Sequence, residues 1–240
     1  MIIHAGNTHF KILNEQIRLA QDDEITVENC IGQRYIASGL TGKKLQIYGT
    51  PGNALGAYLN GSEITVYGNT QEAVGDTMND GEITIYGNCG DAAGYAMRGG
   101  KIFIEKNAGY RTGIHMKQYQ DKIPVMIIGG TAGSFLGEYQ AGGIIAVLGL
   151  GSDGRIPVGN FCGTGMHGGK IFLRSQELPH DLPPQVSAKE ADSSDLDELK
   201  PYLSEFCEKF HHSMDEILSH RFYLLTPDSK NPYKQLYTTN

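Results

Sequence analysis

Along the middle of this chain hydrophobic residues fall at alternate positions, and the alternating blocks return at a fixed interval. The segments LQIYG, ITVYG, ITIYG and IFIEK begin at Leu45, Ile64, Ile83 and Ile102, 19 residues apart each time. Ile25 fits one step upstream at an interval of 20, and Met126, Ile145 and Ile171 follow at 24, 19 and 26. The two long steps carry extra residues, around Gln118–Lys122 and within Leu150–Pro157, after which the register returns. Two places after the starts lie Val27, Ile47, Val66, Ile85, Ile104, Ile128, Val147 and Leu173. Apolar residues at the first and third positions of a short β-rich block are the mark of a strand with one buried face.

The glycines follow the same interval. Eight positions before the starts lie Ala37, Gly56, Gly75, Gly94, Gly137 and Gly163, with Gly113 taking this place in the repeat that holds the first insertion. Four residues earlier come Gln33, Gly52, Gln71, Gly90, Gly109, Gly133 and Gly159. Three past the second glycine comes a further column, Leu40, Leu59, Met78, Met97, Met116, Gln140 and Met166. A recurring G-x-x-x-G turn suits corners that need positive φ, or that stack so closely that a Cβ has no room. The period therefore predicts a mainly β fold: a single-stranded, right-handed parallel β-helix of 7–8 coils. Laps about 4.8 Å apart give a solenoid roughly 35 Å long. Helices are excluded by the glycine spacing, and an up-and-down barrel by the fixed copy length.

Two outward ladders accompany the strands: Tyr48, Tyr67 and Tyr86, and Asn69, Asn88 and Asn107. Stacking and amide pairing account for both structurally. The tyrosine row is also the candidate partner face, because exposed aromatic stripes mark interfaces. At the ends, residues 1–24 read as an N-terminal cap whose helix, Phe10–Gln21, places Phe10, Leu13, Ile17 and Ala20 on one face. Residues 25–175 form the repeat unit, 176–194 a Pro-, Ser- and acid-rich linker, and 195–240 a helical tail with an extended terminus. Within the tail, Leu196, Leu199, Leu203, Phe206, Phe210, Met214, Ile217 and Leu218 recur at helical spacing, and Pro201 is expected near a helix start.

Composition narrows the function. Of 32 glycines, 31 lie between Gly32 and Gly169, which sets one architectural unit apart from both ends. Most of the net charge of −7 sits after residue 175, where 12 Asp/Glu face 6 Lys/Arg. An acidic tail on a nearly neutral body argues against nucleic acid as the partner. Cys30, Cys89, Cys162 and Cys207 are scattered, which suits reduced thiols in a cytoplasmic protein, and no apolar run is long enough for a membrane span. Gly149-Leu-Gly-Ser-Asp-Gly154 spells GxGxxG after a strand, but the following RIPVGNFCG is no helix, so a dinucleotide site is rejected. His115, His167, His211 and His212 lack converging ligands, and Lys101 and Lys170 read as outward charges. No catalytic, cofactor-binding or metal-binding residue is assigned.

The segments Gly32-Gln-Arg-Tyr35, Gly137-Glu-Tyr-Gln-Ala-Gly-Gly143, Val147-Leu-Gly-Leu150 and Gly165-Met-His-Gly-Gly169, with the repeated G-x-x-x-G turns, resemble the GXGXG domain. That is the C-terminal β-helix of the glutamate synthase large subunit. The tail Asn231-Pro-Tyr-Lys-Gln-Leu-Tyr237 is similar to that family's stand-alone form. A related β-helix occurs in one of the subunits of formylmethanofuran dehydrogenase. The chain departs from the motif at Gln33, Ala37 and Gln71, where glycine is typical. The resemblance implies a non-catalytic scaffold subunit that holds an amidotransferase and an FMN-dependent synthase together for conversion of glutamine and 2-oxoglutarate to glutamate. FMN and an iron–sulfur cluster then belong to partner subunits and none to this chain. The chain lacks a nucleophilic cysteine near its start, an FMN-barrel pattern and a cluster-binding cysteine trio. The same scaffold in N-methylglutamate synthase or a formylmethanofuran dehydrogenase-like complex, a free-standing binding solenoid, and homo-oligomerisation stay open.

Overall fold

Residues one interval apart are hydrogen-bonded neighbours. The computed structural model describes residues 1–152 and 155–228. Its strands are β1 (Ile2–His4), β2 (Glu24–Ile31), β3 (Lys44–Thr50), β4 (Asn60–Tyr67), β5 (Asp80–Ile85), β6 (Lys101–Ile104), β7 (Val125–Ile128), β8 (Ala141–Val147), β9 (Gly168–Arg174), β10 (Val186–Glu190) and β11 (Phe222–Pro227). They form one 11-stranded sheet in the order β1 to β9, then β11, then β10. All pairs from β1 to β9 are parallel, and β9–β11 and β11–β10 are antiparallel. The sheet is mainly parallel and does not close into a barrel.

The register pairs Ile25 with Leu45, Leu45 with Ile64, Ile64 with Ile83 and Ile83 with Ile102. It then crosses both insertions to Met126, Ile145 and Ile171. The column two residues on is paired in the same way, from Val27 to Leu173. Both columns are buried and belong to one interior cluster. The turn segments supply its other walls: Leu55, Val74, Ala93, Leu136 and Cys162 from one position, and Leu59, Met78, Met97, Met116 and Met166 from another. Gln140, the polar member of the second column, is fully buried and donates to the carbonyls of Gly142 and Gly143.

Glycine is required in the turns for two separate reasons. A Cβ on Gly90 would lie 2.8 Å from the backbone carbon of Gln71 and 3.0 Å from the Glu72 nitrogen. Gly52, Gly109, Gly133 and Gly159 meet the preceding repeat as closely. The second column, Gly56, Gly75, Gly94, Gly113, Gly137 and Gly163, has φ of +64° to +74°. There a Cβ on Gly113 would lie 2.4 Å from Ile145 Cδ1. The left-handed conformation extends to side-chain-bearing residues on both sides: Tyr35, Ala54, Ala73, Ala92, Arg111, Phe135 and Phe161, and Tyr58, Thr77, Ala96, His115 and Tyr139. Each costs on the order of 1 kcal/mol locally. Hydrogen bonds to the next repeat offset it, such as Tyr58 N–H to the Asp76 carbonyl (2.7 Å) and His115 N–H to the Glu138 carbonyl (2.8 Å).

Gln33 occupies a glycine position in the first repeat, where no earlier turn lies beneath it. Its buried amide donates to the Gly6 carbonyl at 2.7 Å and accepts from Ile31 N–H at 2.8 Å, tying down the N-terminal segment. Ala37 takes φ of +60° with only a methyl group. The asparagine ladder is an amide ladder: Asn88 N–H donates to Asn69 Oδ1 (2.8 Å) and Asn107 N–H to Asn88 Oδ1 (3.2 Å), and Thr131 N–H continues it to Asn107 Oδ1 (2.9 Å).

The ends differ in part from the sequence reading. Helix α1 (Phe10–Leu19) covers one end of the interior with Leu13 and Ile17, and β1 before it extends the sheet. Residues 176–194, expected to be a linker, contain β10, because Val186 and Ala188 pack against the interior at the other end. The tail helix α2 (Ser193–Phe210) starts two residues before the expected boundary, where Asp192 and Asp195 form a capping box. Pro201, expected near a helix start, lies within α2. It is exposed, so water can reach the Asp197 carbonyl that proline cannot bond. Helix α3 (Met214–Leu218) follows. Part of the extended terminus is β11, whereas the Asn231–Tyr237 motif, like Asp153 and Gly154 of the GxGxxG match, lies outside the described residues.

Gly90→Ala is expected to destabilise the chain by about 1–3 kcal/mol, because fixed backbone meets the new methyl. Gly42→Ala, with φ of +68° and open space around its Cβ, should cost only about 1 kcal/mol. Urea unfolding of the two variants compares them directly.

Candidate interaction surfaces

The tyrosine row is formed as a stack. The Tyr48 and Tyr67 rings lie 4.7 Å apart at 17°, and those of Tyr67 and Tyr86 5.1 Å apart at 23°. Tyr48 and Tyr67 are exposed. Tyr86 is not a free end of this face: it packs edge-on against Phe210 at 5.0 Å, and its hydroxyl donates to the Lys209 carbonyl at 3.0 Å. The expected three-residue face is therefore reduced to two, because the chain's own tail covers the third.

That tail occupies the outer side of the later strands. The residues between the two inward columns are Thr26, Gln46, Thr65 and Thr84 in the first four repeats, then Phe103, Ile127, Ala146 and Phe172. The change from polar to apolar marks the footprint of α2 and α3. Phe103, Ile127, Ala146 and Phe172 form a second core with Leu199, Leu203, Phe206, Phe210 and Ile217. Charged residues frame it. Lys101 bridges Glu82 at 3.4 Å and Glu205, Lys209 pairs with Glu82 at 2.6 Å, and Lys170 pairs with Glu198. Lys101 and Lys170, read from sequence as outward charges, thus hold the tail to the sheet. Burial pulls the Lys101 pKa down, but the hydrogen bond and charge of Glu205, with Glu82, outweigh it and the net shift is upward.

A second aromatic surface lies on the turn segments: Tyr58, His115, Phe135, Tyr139 and Phe161 sit at positive-φ positions, and Tyr95 and Tyr110 directly precede the positive-φ residues Ala96 and Arg111. The His115 ring stacks on Tyr139 at 5.2 Å and 9° and meets Tyr95 edge-on at 5.9 Å. Beside it run Tyr110, Phe135 and Phe161, with ring separations of 5.4 and 5.0 Å. The Arg111 guanidinium lies over Tyr110 and Phe135 and pairs with the buried Glu138 at 2.9 Å. Tyr58, Tyr95, Tyr110, Tyr139 and Phe161 are all exposed. The sequence reading missed this surface because its members are scattered among glycines and differ in type from repeat to repeat. The nineteen-residue register was the signal that places them together.

Among the described residues, reactive centres are not brought together. Among the described residues no group of three His, Cys, Asp or Glu side chains converges as a metal site. All four cysteines are buried free thiols. Burial pushes Cys30 up to about 11 and Cys89 and Cys162 up to about 12, which suppresses the thiolate. Among the described residues no helix is long and apolar enough to cross a membrane.

A family model with the description GXGXG motif matches residues 9–227. The chain belongs to the GXGXG family. This GXGXG chain is 44% identical over 251 residues to the uncharacterized protein MJ1350 of Methanocaldococcus jannaschii, covering 99% of itself and 96% of that protein. Its fold is similar to a chain in the crystal structure of the formyltransferase/hydrolase complex FhcABCD from Methylorubrum extorquens in complex with methylofuran. The TM-score is 0.62 at 22% identity, over 78% of this chain and 68% of that one.

Two outcomes follow for the GXGXG chain. Phe206→Ala, which empties the centre of the tail contact, should cost about 3–5 kcal/mol in chemical denaturation. The buried thiols should be unreactive toward a disulfide reagent at pH 8 until the chain unfolds. Their folded pKa values lie above the unfolded value of 9.0. Their stabilisation is thus complete below pH 9 and declines as pH rises from 9 toward 12, by up to about 1.4 kcal/mol per pH unit for each thiol. A denaturation series from pH 8 to 11 measures the slope.

Proposed function

We propose that the stacked repeats close on themselves as a right-handed parallel β-helix of 7–8 coils, and that the chain is a non-catalytic scaffold subunit of a glutamate synthase-type complex. In that reading it holds an amidotransferase subunit and an FMN-containing synthase subunit together for conversion of glutamine and 2-oxoglutarate to glutamate. FMN and the iron–sulfur cluster reside in the partners. The observation that carries the scaffold role is the presence of two exposed aromatic surfaces on one continuous sheet and its turns: Tyr48 and Tyr67 on the strands, and Tyr95, Tyr110, Tyr139 and Phe161 on the turns. Aromatic residues with an arginine among them are the composition of protein–protein contact centres. Membership of the GXGXG family supports the choice of complex.

A second reading has its own support. The structural neighbour belongs to a formyltransferase/hydrolase complex, so the same scaffold in a formyl-transferring assembly is the alternative. Purification of the tagged chain from its native cells separates the two. Co-elution with an FMN protein and a glutamine amidotransferase, with glutamate formed from glutamine and 2-oxoglutarate, is the expected result. Co-elution with formyl-transferring subunits selects the alternative, and a chain that runs alone with its own turnover overturns the scaffold role. In the reconstituted complex, the double variant Tyr110→Ser/Phe161→Ser should weaken subunit association about tenfold or more while leaving the unfolding midpoint of the isolated chain within a few degrees.

A further inference from the structure

At the carboxyl ends of β8 and β9 the chain leaves the sheet beside a cavity of about 230 Å³, lined by Gly151, Ser152, Arg155, Arg174, Ser175 and His220 among others. Neutral carbonyls orient both guanidinium groups. Arg174 donates from Nε to the Ile217 carbonyl at 3.2 Å and from Nη1 to the Leu148 carbonyl at 3.0 Å. Arg155 donates from Nε to the Ser152 carbonyl at 3.1 Å. Among the described residues neither has a carboxylate within ion-pair distance, and Glu216 acts on Arg174 only at longer range. Burial draws the Arg174 pKa below its ordinary value and outweighs the opposing effect of the Glu216 charge, as for a cation partly removed from water.

The glycine-rich loop forms the rest of the wall. Gly149 and Gly151 have φ of +59° and +76°. A Cβ on Gly149 would lie 3.0 Å from Pro157, while Gly151 borders open space. The amides of Gly149, Leu150 and Ser152 are bonded to the Gly130, Gly129 and Gly149 carbonyls, and among the described residues the Gly151 amide has no such partner. His220 turns Nδ1 to the Glu216 carbonyl and the Ser219 hydroxyl at 3.1 Å each, which leaves Nε2 as its remaining polar atom. These are the parts of an anion site: planar multi-donor cations, an open backbone amide and a histidine, around a space with room for a small oxyanion and more. The glycine loop opens no helix, so the arrangement suits one phosphate or carboxylate group and not a dinucleotide.

We infer that this cavity binds a small oxyanion, the phosphate or carboxylate group of a low-molecular-weight ligand, through Arg155 and Arg174. Calorimetric titration of the full chain with inorganic phosphate and, separately, with malonate, at constant ionic strength and with sodium chloride as control, tests it. Saturable one-to-one binding of phosphate is expected to assign the phosphate class, and of malonate alone the carboxylate class. Arg155→Ala should weaken the bound anion about tenfold, and Arg155→Lys less, since the charge remains without the planar fork. The unfolding midpoint of Arg155→Ala without anion should be unchanged, because Arg155 is exposed. No saturable heat with either anion at 10 mM, roughly ten times the millimolar range of a weak specific site, overturns the inference. So does binding that Arg155→Ala leaves intact.

Discussion

The closeness of one repeat's backbone to the next is the constraint from which the rest of this molecule follows. Parallel strands hydrogen-bond at about 4.8 Å, and here the turns between them must keep that spacing too. A turn has no regular ladder of its own, so its amides find carbonyls one interval away only in an unusual conformation. The left-handed residues of each turn are that conformation. Their local strain is held by bonds such as Thr77 N–H to the Tyr95 carbonyl, 2.7 Å. Glycine at Gly90 or Gly133 is the steric counterpart, since a side chain there would sit inside the neighbouring repeat.

The same spacing makes surface rows out of scattered residues. Tyr48, Tyr67 and Tyr86 stack because their strands do, and Asn69, Asn88 and Asn107 bond because their backbones lie one repeat apart. A side chain repeated at the interval becomes a stripe, and a change in residue type along a column becomes an edge. The switch from Thr84 to Phe103 is such an edge: Thr26, Gln46 and Thr65 before it are at least partly open to water, Thr84 is already buried, and the apolar residues after it face α2. The tail thereby divides the outer face of the sheet into a covered half and an open half.

How far this could be read from the chain alone follows from the same geometry. The strand register was legible to the residue, including across both insertions, because burial of alternate side chains allows no slip. The ends were less so. Val186–Glu190 carries Lys189 and Glu190 and has no repeat to match, so its strand character depends on β11 and not on its own pattern. The loss of Tyr86 from the open face depended on Phe210, which lies more than a hundred residues away and outside the period. The turn aromatics were hidden for a different reason: positive φ at Tyr58, Arg111 or Tyr139 runs against each residue's own preference and is imposed by neighbours.

A stack of equivalent parallel strands contains no internal reason to end, and each terminal edge is a template for another chain. In the last repeat the Phe161 amide, which in earlier turns would reach forward to a carbonyl, is met by the Asp181 carboxylate at 2.8 Å. Beyond β9 the polarity of the sheet reverses at β11, so the next layer cannot repeat the one below. This stop blocks continuation of the parallel ladder at that end, where an uncapped version would offer the same edge to a further copy for end-to-end growth.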